Sequence, residues 1–209
     1  MKQLISSLFG KAEHPSRRDL AKGFLATCVS SPNGRYILGW QAANGSVMGD
    51  GTAAPADAHY FLLDDGDLVV EGRMGQPAQG KVANTGTFVL HDQAPLAQGL
   101  RAAFYGFRRD GQTVLSHDFR TALLSNGLSR DGRFAACQSC SSPDEHGGGA
   151  LTIFDLERAA AVASWKPESG WPADCEFGQD GQTISLLYPD GRSLRYTFSG
   201  RLVDTDSVD

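Results

Sequence analysis

The chain has 209 residues, 41% of them apolar, and a formal net charge of −5. That length supports one domain with a sizeable core, or two small ones. The acidic balance argues against a nucleic-acid partner, since a phosphate-binding surface is visibly basic. No run approaches the ~20 apolar residues that span a bilayer, so no membrane partner is expected either.

Residues 1–22 read as a helical or irregular lead-in. Leu4, Ile5, Leu8 and Phe9 would share one face of a short helix, and Ser16 is placed to cap a second turn. The stretch Leu4 to Phe9 is too short and too interrupted by serine for a secretory signal. The segment is therefore expected to be retained and the protein to be cytoplasmic. The four cysteines, Cys28, Cys137, Cys140 and Cys175, are too few for a disulfide framework in a chain of this length.

From Gly23 onward the chain reads as strands. A phrase returns roughly every 50 residues, as Val29-Ser-Ser-Pro-Asn-Gly-Arg-Tyr-Ile-Leu-Gly-Trp40 and Val82-Ala-Asn-Thr-Gly-Thr-Phe-Val-Leu-His91. It recurs as Leu128-Ser-Arg-Asp-Gly-Arg-Phe-Ala-Ala-Cys137 and Phe177-Gly-Gln-Asp-Gly-Gln-Thr-Ile-Ser-Leu-Leu187. Each copy is a polar turn ending in glycine, which supplies the positive φ of a tight hairpin, followed by an apolar run. A second pattern, strand–polar turn–strand, repeats in the later half of each unit.

Together they predict an all-β chain of four units with four antiparallel strands each. The strands fall at about 23–31, 35–41, 58–64 and 67–73, then 78–84, 87–92, 100–108 and 112–119. The third unit has 121–129, 133–139, 150–156 and 159–165, and the fourth 172–179, 182–188, 192–199 and 201–205. The units span about 23–73, 78–119, 121–165 and 172–205 of a single domain, 23–209, behind the lead-in.

Four-stranded units of this length are blades of a β-propeller. Leu128-Ser-Arg-Asp-Gly-Arg-Phe-Ala-Ala136 resembles the S-x-D-G turn of WD40 and YVTN-type propellers. Leu151-Thr-Ile-Phe-Asp-Leu-Glu-Arg158 resembles the strand and turn that close their blades. Phe154-Asp155 stands where Trp-Asp would be, and no Gly-His dipeptide occurs, so the resemblance implies a divergent, WD40-like propeller. Four blades leave open a closed ring, an open arc, or an arc completed by self-association. An open arc calls for a cover over its end faces, from residues 1–22 or from a second subunit.

Chemistry-bearing motifs are sparse. Cys137-Gln-Ser-Cys140 with His146 nearby has the look of half a metal site, with Cys28 or Cys175 as further ligands, against the plain reading of buried or loop thiols. His91-Asp92 and His117-Asp118 lie in strands, where neighbours face opposite sides, so a structural role is expected. No nucleophile elbow, P-loop or dinucleotide glycine pattern occurs, and no cofactor is expected. Innermost strands offer only Lys81, Asp174 and Glu176 to the axis. The resulting expectation is a non-enzymatic scaffold that grips a protein or peptide with the looped face of the propeller. Trp40, Trp165, Trp171, Arg120 and His146 are the candidate contacts on that face. The alternative is a hydrolase- or lyase-type enzyme with a site in the central pocket.

Overall fold

The computed structural model describes residues 26–41, 58–93, 95–96, 99–100, 102–140, 149–168 and 170–206. The 1–22 lead-in, His146 and most of the 41–57 and 138–149 loops lie outside them. Blade one is the sheet β1 (Thr27–Ser30), β2 (Tyr36–Trp40), β3 (Ala58–Asp64) and β4 (Asp67–Met74). Blade two is β5 (Pro77–Val82), β6 (Phe88–Asp92), β9 (Ala102–Phe107) and β10 (Thr113–Phe119). A two-stranded hairpin, β7 (Pro95–Leu96) with β8 (Gly99–Leu100), is inserted between β6 and β9. Blade three is β11 (Leu123–Leu128), β12 (Phe134–Ser139), β13 (Leu151–Asp155) and β14 (Ala160–Trp165). Blade four is β15 (Asp174–Phe177), β16 (Thr183–Leu187), β17 (Ser193–Thr197) and β18 (Leu202–Asp206). Every pairing within a blade is antiparallel between consecutive strands, as expected of a propeller array.

The repeated phrase is the β1–β2-type turn of each blade, and its chemistry explains its recurrence. In blade one the Ser31 Oγ donates to Asn33 Oδ1 and accepts from the Tyr36 N–H, while Asn33 Oδ1 also accepts from the Arg35 N–H. Blade three repeats this with Ser129, Asp131, Phe134 and Arg133. A small polar side chain two residues on closes such a turn, and glycine supplies the left-handed residue, with φ of 74° at Gly34 and 78° at Gly132.

Blade two departs from the pattern. The return hydrogen bond runs from Ser31 N–H to the Tyr36 carbonyl in blade one, but from Ala83 N–H to Thr87 in blade two. The turn is one residue shorter after its glycine. Aligning the phrases on glycine therefore equates Phe88 with Tyr36, whereas the structure equates it with Ile37: Val82 faces Phe88 as Ser30 faces Ile37.

With that register, each blade has a face toward the preceding blade and a face toward the following one. The preceding-side positions are Phe88, Leu90, Tyr105 and Phe107 in blade two, Ala135, Cys137, Thr152 and Phe154 in blade three, and Ile184, Leu186, Leu194 and Tyr196 in blade four. They build three apolar layers between consecutive blades. Phe88, Leu90 and Phe107 pack with Leu38, Tyr60 and Leu62; Ala135 and Phe154 pack with Val89 and Phe104; Ile184, Leu186 and Tyr196 pack with Ala136, Leu151 and Ile153. Fully burying each such side chain contributes roughly 1.5–3 kcal/mol. Between blades four and one no comparable layer exists among the described residues, which by themselves form an arc of four blades.

Candidate functional site

The arc offers three surfaces. The first carries the short turns, and neighbouring turns clasp one another. The Asn33 N–H donates to Asn84 Oδ1 (2.8 Å), the Asn84 N–H to the Arg130 carbonyl (2.9 Å), and the Thr85 hydroxyl to the Asp131 carbonyl (3.1 Å). Two buried aspartates at the ends of third strands strengthen this surface. Asp64 takes Arg35 Nε at 2.6 Å from its own blade and Arg109 at 2.8 Å from blade two. Its hydrogen bond to Arg35 holds the carboxyl below the usual carboxylate range. Asp155 takes Arg133 at 3.3 Å and caps the next turn by accepting the Glu157 and Arg158 N–H groups. Between turns three and four the contact is aromatic instead, with Phe134 against Phe177 and Phe198.

The second surface is an axial cavity of about 550 Å³ beneath these turns. The ends of innermost strands from all four blades border it, and blade four lends Glu176, Ser185 and Arg195 as one wall. Across the axis the Lys81 ammonium meets both carboxylate oxygens of Asp174 at 2.9 Å. Both side chains are more than a third exposed, so this bridge contributes at most about 1 kcal/mol, and its main effect is to tie blade two to blade four. The three axial groups legible in the sequence thus do converge. Sequence reading missed Arg195, which takes the register position of Leu62 and Ile153 in other blades. Only the correct register exposes it as an off-pattern polar residue.

The third surface carries the blade-to-blade connections and the long loops. Trp171 lies on the connection into blade four and is 54% exposed. Arg120 is exposed on the connection between blades two and three. The other two tryptophans are placed differently. Trp40 is 3% exposed and belongs to the layer between blades one and two. Trp165 lies with its ring centroid 4.8 Å from that of Tyr196, the planes tilted by 40°, and donates its Nε1–H to the Phe198 carbonyl, which packs it between blades three and four. Strand-end tryptophans serve blade packing here, and the exposed one is on a connection.

The cysteines are also separated by the strand pattern. Cys137 is sealed in the layer between blades two and three, and burial pushes its thiol well up. Cys140 lies one residue beyond β12, its N–H donating to the Ala122 carbonyl. Cys175 is buried under Gly127, its thiol pushed up to about 12 by burial. Among the described residues no three His, Cys, Asp or Glu side chains gather as a metal set. Of the His-Asp dipeptides, His91 is 1% exposed and approaches the Asn126 amide of blade three at 3.4 Å, while Asp92 accepts the Gly75 and Gln76 N–H groups. His117 packs on Phe119 and Phe154.

No protein-family model matches the sequence, and no curated protein matches it. Among solved structures the fold is similar to the β-propeller Hsv2 of Kluyvelomyces marxianus, at 10% identity and a TM-score of 0.53. The match covers 88% of this chain and 50% of that one, so the chain spans about half the length of Hsv2. At that identity the likeness concerns the fold: the chain is an all-β, propeller-like array of four blades.

Proposed function

We propose that the chain is a protein- or peptide-binding scaffold whose looped face carries the contact. The observation that supports this most is Trp171, an aromatic side chain left 54% exposed on a connection held between two rigid blades. An exposed tryptophan on a fixed frame is an anchor for a partner's pocket or apolar side chain, and truncating such an anchor costs binding about 2 kcal/mol or more. Exposed Arg120 on the neighbouring connection adds a planar donor for a carboxylate or carbonyl on the same partner. The charged groups of the axial cavity give less support to an enzyme there, because Lys81 and Asp174 are engaged with each other.

The test is paired affinity purification of the tagged chain and its Trp171→Ala variant from the native cells, read by quantitative mass spectrometry. A partner retained by the parent and depleted at least tenfold by the variant supports the reading. Identical recovery on both chains removes the looped face as the contact surface.

A further inference from the structure

The two ends of the arc differ in chemistry. Blade four's following side presents Ser185, Ser193, Arg195 and Glu176 with Leu187 as its one large aliphatic side chain among the paired residues of β16 and β17, where the corresponding faces of the other blades carry residues such as Leu38, Leu62, Ala136 and Ile153. A polar outer face is what a terminal capping repeat requires. Blade one's preceding side is the opposite. Ile37, Gly39, Phe61 and Leu63 occupy the register positions that in blades two to four pack against the blade before. The Phe61 ring lies over Gly39, where an added Cβ would clash with it, and Leu68 extends the patch from β4. This blade is built to receive a preceding element.

The patch is nonetheless closed to solvent. Phe61 and Leu63 are each 2% exposed in a single chain, although the described apolar neighbours are only Ala26, Ile37 and Leu68. Burial that is complete within one chain needs no second copy. Head-to-tail apposition of two copies would also bury Ser185, Ser193 and Arg195 against this apolar patch, at a desolvation cost. Ala26 is itself part of the patch, so the polypeptide enters blade one on this side. The 25 residues before it include Leu4, Ile5, Leu8, Phe9, Leu20, Phe24 and Leu25. Residues 42–57, the other long segment adjoining blade one, offer only Val47 and Met48 as large apolar side chains. Even wound as a helix, 25 residues reach about 37 Å, against about 15 Å across a four-stranded sheet.

We infer that residues 1–25 dock on the preceding side of blade one, through the apolar face of Leu4, Ile5, Leu8 and Phe9, and stand where a further blade would pack. The arc is thus closed off at both ends by different means: its own N-terminal segment at one, polar side chains at the other. This inference is independent of the looped-face reading and stands or falls without it.

A photo-reactive benzoylphenylalanine at the half-buried Ile37 of the full chain tests it. Irradiation is expected to give an intrachain cross-link to a peptide within residues 1–25. A cross-link between two chains, distinguished by mixing isotopically light and heavy protein, overturns the inference in favour of a second copy. A cross-link to residues 42–57 overturns it in favour of that loop. Independently, the full-chain double substitution Leu8→Asp, Phe9→Asp is expected to raise binding of an apolar fluorescent dye several-fold with the far-ultraviolet strand signal retained. Unchanged dye binding would also sink it.

Discussion

His91 makes stability fall with acid well before carboxylates titrate. It is 1% exposed in the layer between blades two and three, and burial depresses its pKa from 6.5 to about 4. The unfolded chain therefore takes up this proton first as pH drops, and the native state is penalised between pH ~6.5 and ~4. The linkage amounts to about 1 kcal/mol lost at pH 5.5, rising to about 3 kcal/mol once both states are protonated. Urea unfolding of the parent and of His91→Gln, at half-unit steps from pH 7.5 to 4.5, isolates the effect. Glutamine keeps a partner for Asn126 but does not titrate. The depressed carboxylates Asp64, Asp131, Asp180 and Asp190 lose their contributions at lower pH still, and they cancel in the comparison. The parent is expected to lose stability relative to the variant as pH falls. Parallel curves would refute the reasoning, because His91 would then be reaching water or an acidic partner.

Other substitutions test the packing. Leu38→Ala, at a side chain with no exposed surface in the layer between blades one and two, is expected to cost about 2–5 kcal/mol in urea unfolding. Gly127→Ala sets a Cβ 2.5 Å from Cys175 Sγ and 2.8 Å from its carbonyl, and is expected to cost about 1–3 kcal/mol by pushing blade four off blade three. Asp155→Ala leaves the Glu157 and Arg158 amides and the Arg133 guanidinium without their acceptor, lowering stability by about 1–3 kcal/mol with unchanged far-ultraviolet dichroism. Trp171→Ala is expected to leave the urea midpoint within ~0.5 kcal/mol of the parent, since its side chain is mostly solvated.

What was legible in the sequence was local. An Asn-Gly or Asp-Gly writes its own turn in blades one, three and four, and Asn84-Thr85-Gly86 stands in its place in blade two, so all four repeated turns and the strands around them could be placed from a few residues each. Sidedness was less legible. Trp40 ends a strand before a long loop, and only packing against blade two turns that position into core. The Lys81–Asp174 bridge joins residues 93 apart, and it needs two interblade angles, two-to-three and three-to-four, to bring them together. Arg195, His91 and Asn126 carry meaning only once each strand's register is known, and glycine-anchored alignment of blade two displaces that register by one.

That shortened turn shows where this architecture absorbs a change in length. Strand pairing holds Val82 opposite Phe88 and leaves the turn to take up the missing residue, so deletion never reaches the sheet. A residue inserted between Gly86 and Thr87 would restore the five-residue return of the other blades and leave every side chain of β6 on its own side. The same residue inserted one step past Val89 would swing Leu90 and His91 to opposite faces, trading an aliphatic for an imidazole in two interblade layers at once. The length difference of blade two is thereby taken up in its turn, which acts as the expansion joint of the repeat.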